Sequence, residues 1–251
     1  MPQQKGIIKL KGTMGGITFY KTADGYLARE KGGIEKSRME SDPAFQRTRE
    51  NGFEFGRAGK GSKLLRMALR TLMRDAKDRR VTSRLLKILV SIVKTDTTNA
   101  RGQRTVQDGE LALLKGFDFN IKGKLNTTLF VPYSTNIDRA AGSMQVQLPA
   151  LTPSIGIEAP EGTTHFKLII GLTELDFENE TFIFDGNETG ILPWNAEEIP
   201  ATDLSASVTA NSTLPLFQVM GISFYQEVNG QMYPLKNGAF NALNVIGIDT
   251  P

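Results

Sequence analysis

Three patterns of apolar and polar positions follow one another along the chain. Residues 6–31 read as short strands broken by glycine. Ile8-Lys9-Leu10-Lys11 alternates, Gly15-Gly16 marks a turn, and Ile17-Thr18-Phe19-Tyr20 is β-branched and aromatic. Asp24-Gly25 predicts a hairpin turn before Tyr26-Leu27-Ala28-Arg29. From Ser41 the period becomes helical. Ser41-Asp42-Pro43 supplies a capping side chain and then a proline in the first turn, so a first helix is expected to run to about Gly56. Gly59 and Gly61 interrupt the pattern. A second helix is expected from Ser62 to Lys77, with Leu65, Ala68, Leu69, Leu72 and Ala76 on one face. A third, Thr82 to Lys94, is apolar on most sides and therefore expected to be central. A fourth is expected from Ala100 to Leu114.

From Phe117 the period is that of a strand. Phe117–Ile121, Thr127–Pro132, Ser143–Leu148, His165–Leu172, Glu180–Asp185, Leu204–Thr209, Leu216–Glu227 and Leu243–Ile248 are the expected strands. Turn signals stand at Asp185-Gly186-Asn187, Asn229-Gly230 and Asn237-Gly238. Most prolines fall in this part, as suits the loops and edges of a β domain. The expected fold is α+β: an N-terminal β-hairpin arm (1–40), a basic helical bundle (41–116) and an antiparallel Ig-like β-sandwich (117–251). There is no internal repeat.

Composition sharpens this division. The formal net charge is only +3, but residues 1–124 hold 27 of the 30 Lys and Arg and 13 of the 27 Asp and Glu. The remainder is strongly acidic. Such asymmetry points to a polyanionic partner or to another copy of the chain. The cations Lys63, Arg66, Arg70, Arg74 and Lys77 recur at helical spacing on one face, with no acid on that face. Like charges so placed destabilise a helix by roughly a few tenths of a kcal/mol per pair, so a partner should offset them. Phosphates of a nucleic acid or the acidic surface of a neighbouring subunit both qualify. An ordinary solvated face is the plainer explanation.

Several chemistries are disfavoured. With no cysteine and a single histidine, His165, the usual thiol and imidazole arrangements have almost nothing to stand on, and no enzyme activity is expected. Gly56-Arg57-Ala58-Gly59-Lys60-Gly61-Ser62-Lys63 is glycine-rich and basic, but it follows a helix and lacks the Gly-Lys-Ser/Thr of a phosphate loop. The alternation Glu174/Asp176/Glu178/Glu180 puts four acids on one strand face, an acidic surface rather than a calcium loop. No metal or cofactor is expected. No segment is apolar and long enough to span a bilayer, and the N-terminus has no apolar signal core, so a cytoplasmic protein is expected, any export being by a non-classical route or cell lysis, for example as an assembled particle.

Lys11-Gly12-Thr13-Met14-Gly15-Gly16-Ile17-Thr18-Phe19-Tyr20, then Gly25-Tyr26-Leu27-Ala28-Arg29, then Asp42-Pro43-Ala44-Phe45-Gln46-Arg47-Thr48-Arg49-Glu50-Asn51, resembles a family common in Bacteroidetes-type bacteria. The likeness covers about the first 70 residues. It implies a Gly-rich β segment and helices joined to a variable strand-rich part, and no activity.

The expectation is a structural, self-assembling subunit of a filament, tube or phage-like particle. Basic helical and acidic β surfaces would meet head to tail. An arm carrying Ile8, Leu10, Ile17, Phe19 and Tyr20 would add to a sheet of its own chain or of a neighbour. The alternative is nucleic-acid binding by the basic helical region, although no helix-turn-helix, zinc finger or RNA-binding aromatic motif is present. A third reading, an enzyme or carbohydrate-binding protein, has only Trp194, Tyr225 and Tyr233 in its favour.

Overall fold

The computed structural model describes residues 2–235 and 240–251. The Asn237-Gly238 turn signal therefore lies outside the described residues. The chain divides into two compact units, Met1–Arg49 and Glu50–Pro251. The change of periodicity near residue 117 falls inside the second.

The first unit is a three-stranded antiparallel meander of β1 (Gly12–Met14), β2 (Ile17–Thr22) and β3 (Gly25–Glu30). Gly15 and Gly16, with φ of 55° and 80°, form the two-residue turn between β1 and β2, a conformation that glycine adopts without strain. Residues 2–4 lie against β3: Gln4 N–H donates to Tyr26 O and Ala28 N–H to Pro2 O, each at 2.9 Å. The alternating Ile8–Lys11 segment forms no strand. Leu10 N–H is taken by the Gln4 side chain at 2.8 Å instead of by a ladder. A short helix, α1 (Lys36–Ser41), is followed by a 3₁₀ turn (Pro43–Phe45). Asp42 caps that turn by accepting from Ala44 N–H at 2.9 Å. This bond, with one from Arg38, holds the Asp42 carboxyl below its ordinary pKa.

The first two expected helices are one, α2 (Gln46–Ala68). Gly52, Gly56, Gly59 and Gly61 each cost about 1 kcal/mol relative to alanine. That total is outweighed by burial of Ala58, Leu64, Leu65 and Ala68, at about 1.5–3 kcal/mol for each leucine. Gly61 has a positive reason to be there. A Cβ would stand 3.2 Å from Val106 and 3.3 Å from Phe177, so the helix approaches the rest of the unit closely at this point. The helix then ends nine residues before Lys77. Residues 69–77 turn through a 3₁₀ segment (Leu72–Arg74), and the 3–4 spacing still delivers Leu69, Met73 and Ala76 to the core.

The third helix, α3 (Val81–Thr95), lies within a residue of its expected bounds, but it is a surface helix and not a central one, with Thr82, Ser83, Lys87, Ser91 and Lys94 exposed. It buries Val81, Leu85, Leu89, Ile92 and Val93. The expected fourth helix is absent. The Asp96 carboxylate, 1% exposed, accepts from Thr98 N–H (2.8 Å), Asn99 N–H (2.9 Å), Thr105 N–H (2.9 Å) and Asn99 Nδ2 (2.9 Å). Those bonds wind residues 96–105 into a loop, and only Leu111–Leu114 forms a 3₁₀ turn.

The Phe117–Ile121 segment is extended but forms no strand. It runs beside the last strand through Phe119 N–H to Leu243 O (2.8 Å) and Val245 N–H to Phe117 O (3.0 Å). Instead of a strand at Thr127–Pro132 there is a single helical turn, α4 (Leu125–Thr128), because the Thr127 and Thr128 hydroxyls bond back to Lys124 O. The remaining elements are β4 (Ser134–Asp138), β5 (Ser143–Leu148), α5 (Pro153–Gly156), β6 (His165–Asp176), β7 (Thr181–Glu188), β8 (Leu192–Pro193), β9 (Thr202–Ser207), β10 (Leu216–Val228), β11 (Gln231–Pro234) and β12 (Ala242–Asp249). All pairings among them are antiparallel. The Asp185-Gly186-Asn187 signal proves to lie within β7. Gly186 pairs with Gly171 of β6, and its missing Cβ makes room for Phe184 and for Ile170 O. Asn229-Gly230 does make a turn, between β10 and β11, with φ of 52° and 76°.

β6 and β10 form the centre of a six-stranded sheet with β7, β8, β11 and β12, while β4, β5 and β9 form a second, three-stranded sheet. The two sides of the larger sheet feed two cores. Phe217, Val219, Leu175, Leu243 and Val245 pack with α2, α3 and the 3₁₀ turns. Phe166, Leu168, Ile170, Leu172, Met220, Ile222 and Phe224 pack with Met144, Val146, Leu148, Leu204 and Ala206 of the smaller sheet. The second unit is thus layered as helix, sheet, sheet, and mixed helix and antiparallel strand is its class.

Candidate interaction surfaces

Three surfaces carry the residues singled out by sequence. The first is the N-terminal unit. Of its described residues none is buried. Ile8 is 80% exposed, Leu10 and Ile17 are exposed too, and Phe19 and Tyr20 are only half-buried. Ile7, Met14, Ile34 and Met39 add to the exposed apolar surface. What order the sheet has comes from its ladder and from cations laid on rings, such as Arg29 over Tyr20 at 5.4 Å and Lys21 over Tyr26 at 5.6 Å.

The second surface is basic. Lys63 and Arg66 lie on the last turns of α2, Arg70 in the turn after it, Arg74 at the end of the 3₁₀ segment and Lys77 before α3. They do not share one helix face as expected. The chain's turn nevertheless gathers them. Lys63, Arg66, Arg70 and Lys77 line a groove of about 260 Å³ with Met67, Met73, Val81 and Thr82. No acid lines it. Arg70, Arg74 and Lys77 also form the rim of an adjoining cleft of about 820 Å³. Its floor is the larger sheet: Lys167 and Ile169 of β6, Phe184 and Glu188 of β7, Ser223 and Tyr225 of β10. Among the described residues, Lys63, Arg70 and Lys77 have no carboxylate within salt-bridge distance, while Arg74 pairs with Asp75 at 3.2 Å.

Sequence reasoning missed Lys167. Its Nζ is 2.9 Å from Glu188 and 5.9 Å from the Tyr225 ring centroid. Burial pushes its pKa down, but Glu188 and Tyr225 together outweigh this and hold it above the ordinary lysine value. The available signal was a cation at a strand position whose neighbours Phe166 and Leu168 are apolar.

The acidic set does not form one face. Glu174 is buried and its Oε2 accepts from Thr209 N–H at 3.3 Å. Asp176 caps the β6–β7 turn, accepting from Glu178 N–H, Asn179 N–H and Asn179 Nδ2, which lowers its pKa. Glu178 is exposed in that turn. Glu180 meets Lys60 at 2.6 Å, and this contact lowers its pKa. The alternation failed because the strand ends at Asp176 and the next four residues turn. Among the described residues no three His, Asp or Glu side chains converge as a metal site.

His165 begins β6, with Nδ1 2.9 Å from Thr164 Oγ1 and Nε2 3.9 Å from Glu227. Of the three aromatic residues noted, Trp194 donates to Ile157 O at 3.1 Å and packs on the core between the sheets, Tyr233 is exposed on β11, and Tyr225 lines the cleft. Among the described residues no helix is long and apolar enough to cross a membrane. No protein family, curated protein or solved structure matches this chain, so its function must be argued from its own geometry.

Proposed function

We propose that this chain is a structural, non-catalytic subunit that assembles with copies of itself through its N-terminal unit. The observation that carries the reading is the lack of a single buried side chain among residues 2–49, beside a row of exposed Ile, Leu and Met. A chain of this size with no core gains too little from burial to offset its ordering, and a short meander wants a further sheet. Strand addition to a neighbour supplies it, and a filament, tube or phage-like particle is the result when each copy repeats the contact. The partner is another copy because the unit is basic and apolar while residues 125–251 are strongly acidic. In this reading the two sheets around the second core act as an Ig-like sandwich body, working in the cytoplasm or released from it as an assembled particle.

Light scattering on a sizing column tests this with the full chain and a variant lacking residues 1–31. The full chain should elute as large species and the variant as folded monomers with unchanged Trp194 fluorescence. Large species from both, or monomers from both, overturn the proposal.

A second reading, nucleic-acid binding by the basic region, is favoured by the acid-free groove between Lys63 and Lys77. It predicts that added DNA or RNA binds at low salt and dissociates as salt rises.

A further inference from the structure

The groove and the cleft share Arg70 and Lys77 as lining residues, so they adjoin. The two differ in chemistry. The groove end presents Lys63, Arg66, Arg70 and Lys77 and no acid. It also takes in Val81 and Thr82, the first residues of α3. The cleft end is walled by acids that are already paired, Asp75 with Arg74 and Glu188 with Lys167. On its floor stands Tyr225, half-buried and steadied by Lys167.

We infer that groove and cleft together are a track for a single-stranded nucleic acid. Phosphates lie on Lys63, Arg66, Arg70 and Lys77, and an unstacked base lies on Tyr225. The inference rests on the second reading above and sharpens it. A concave surface with an aromatic floor accepts a splayed base, whereas the paired bases of a duplex cannot reach such a floor. Unpaired cations at one end and a ring at the other are the two parts that sequence-tolerant strand binding uses. An acidic protein surface would account for the cations and leave Tyr225 without a role.

Fluorescence anisotropy of the purified full chain with a labelled oligothymidylate, and with a duplex of equal length, tests the track over a range of salt. The single strand should bind more tightly. With about four phosphates engaged, log K should fall with log salt at a slope near −3. Arg70→Ala with Lys77→Ala, both exposed positions, should weaken binding and make that slope shallower by about 1.4. Tyr225→Ala should weaken single-strand binding by about tenfold or more, and Tyr225→Phe should retain it. Circular dichroism checks that each variant is folded. Equal affinity for strand and duplex with no effect of Tyr225→Ala overturns the track and leaves nucleic-acid binding standing. Absence of binding to either at low salt overturns both. Loss of self-association in the Arg70→Ala, Lys77→Ala variant without any oligonucleotide assigns the cations to a neighbouring copy and overturns the track.

Discussion

Removing the Asp96 carboxylate should cost the second unit about 3 kcal/mol. The group is almost fully buried and holds residues 96–105 as a loop through four hydrogen bonds, three from backbone N–H groups. A hydrogen bond to a charged group contributes roughly 1.5–3 kcal/mol. The four do not add, because Thr98 is exposed and water can replace part of what Asp96→Ala removes. The charge also sets a pH dependence. Burial raises the Asp96 pKa, but the bonds from Asn99, Thr105 and Thr98 outweigh it and leave the pKa below the ordinary value. The unfolded chain therefore binds the proton more readily than the folded one. The contribution is complete above the unfolded value of about 3.9 and is lost as pH falls through the lower folded value. Urea unfolding followed by Trp194 fluorescence, at neutral pH and at steps down to strongly acidic pH, reads both effects. The gap between the native chain and Asp96→Ala should be near 3 kcal/mol at neutral pH and should close as pH falls below about 4. A gap under about 0.5 kcal/mol at neutral pH, typical of an indifferent surface change, would refute the reasoning.

Three further substitutions probe other contacts. Arg84→Ala should destabilise by about 3–5 kcal/mol in the same assay, because the guanidinium pairs with Asp78, donates to Asp118 O and Phe119 O, and lies 4.9 Å from the Phe117 ring centroid. Gly109→Ala should lower the melting temperature by several degrees, as read by circular dichroism, since the new Cβ would stand 2.3 Å from Ile92 O, a backbone atom that cannot step aside. Lys60→Ala should leave thermal stability unchanged, the Lys60–Glu180 pair being exposed. The same change should bring the Glu180 pKa, measured by NMR titration, up toward that of an ordinary glutamate.

The sequence was most legible where one period ran long enough to be decisive. Val81–Thr95 needed only its helical spacing, Ser143–Leu148 its alternation and Leu216–Val228 its long apolar run, because the first two lay one face on a core and the third lies between two cores. It was least legible where polar side chains compete with the backbone. The carboxylate of Asp96 and the hydroxyls of Thr127 and Thr128 each diverted a segment from the element that its apolar spacing suggested. Glycine misled in both directions. It was read as a break within α2, where a helix face needs close approach at Gly61, and as a turn at Gly186, where a strand does. Of the candidate surfaces, four of the five cations do come together, but what gathers them is the turn after Ala68, not one helix face. The acidic face was not legible, since Glu174 spends its charge inside the unit and Glu180 on Lys60.

Self-assembly is the central claim, and the particle itself is its most direct test. Negative-stain microscopy of the nuclease-treated full chain should show regular rings, tubes or filaments. A field of uniform particles of 27.6 kDa, with no larger species at any protein concentration, would contradict it.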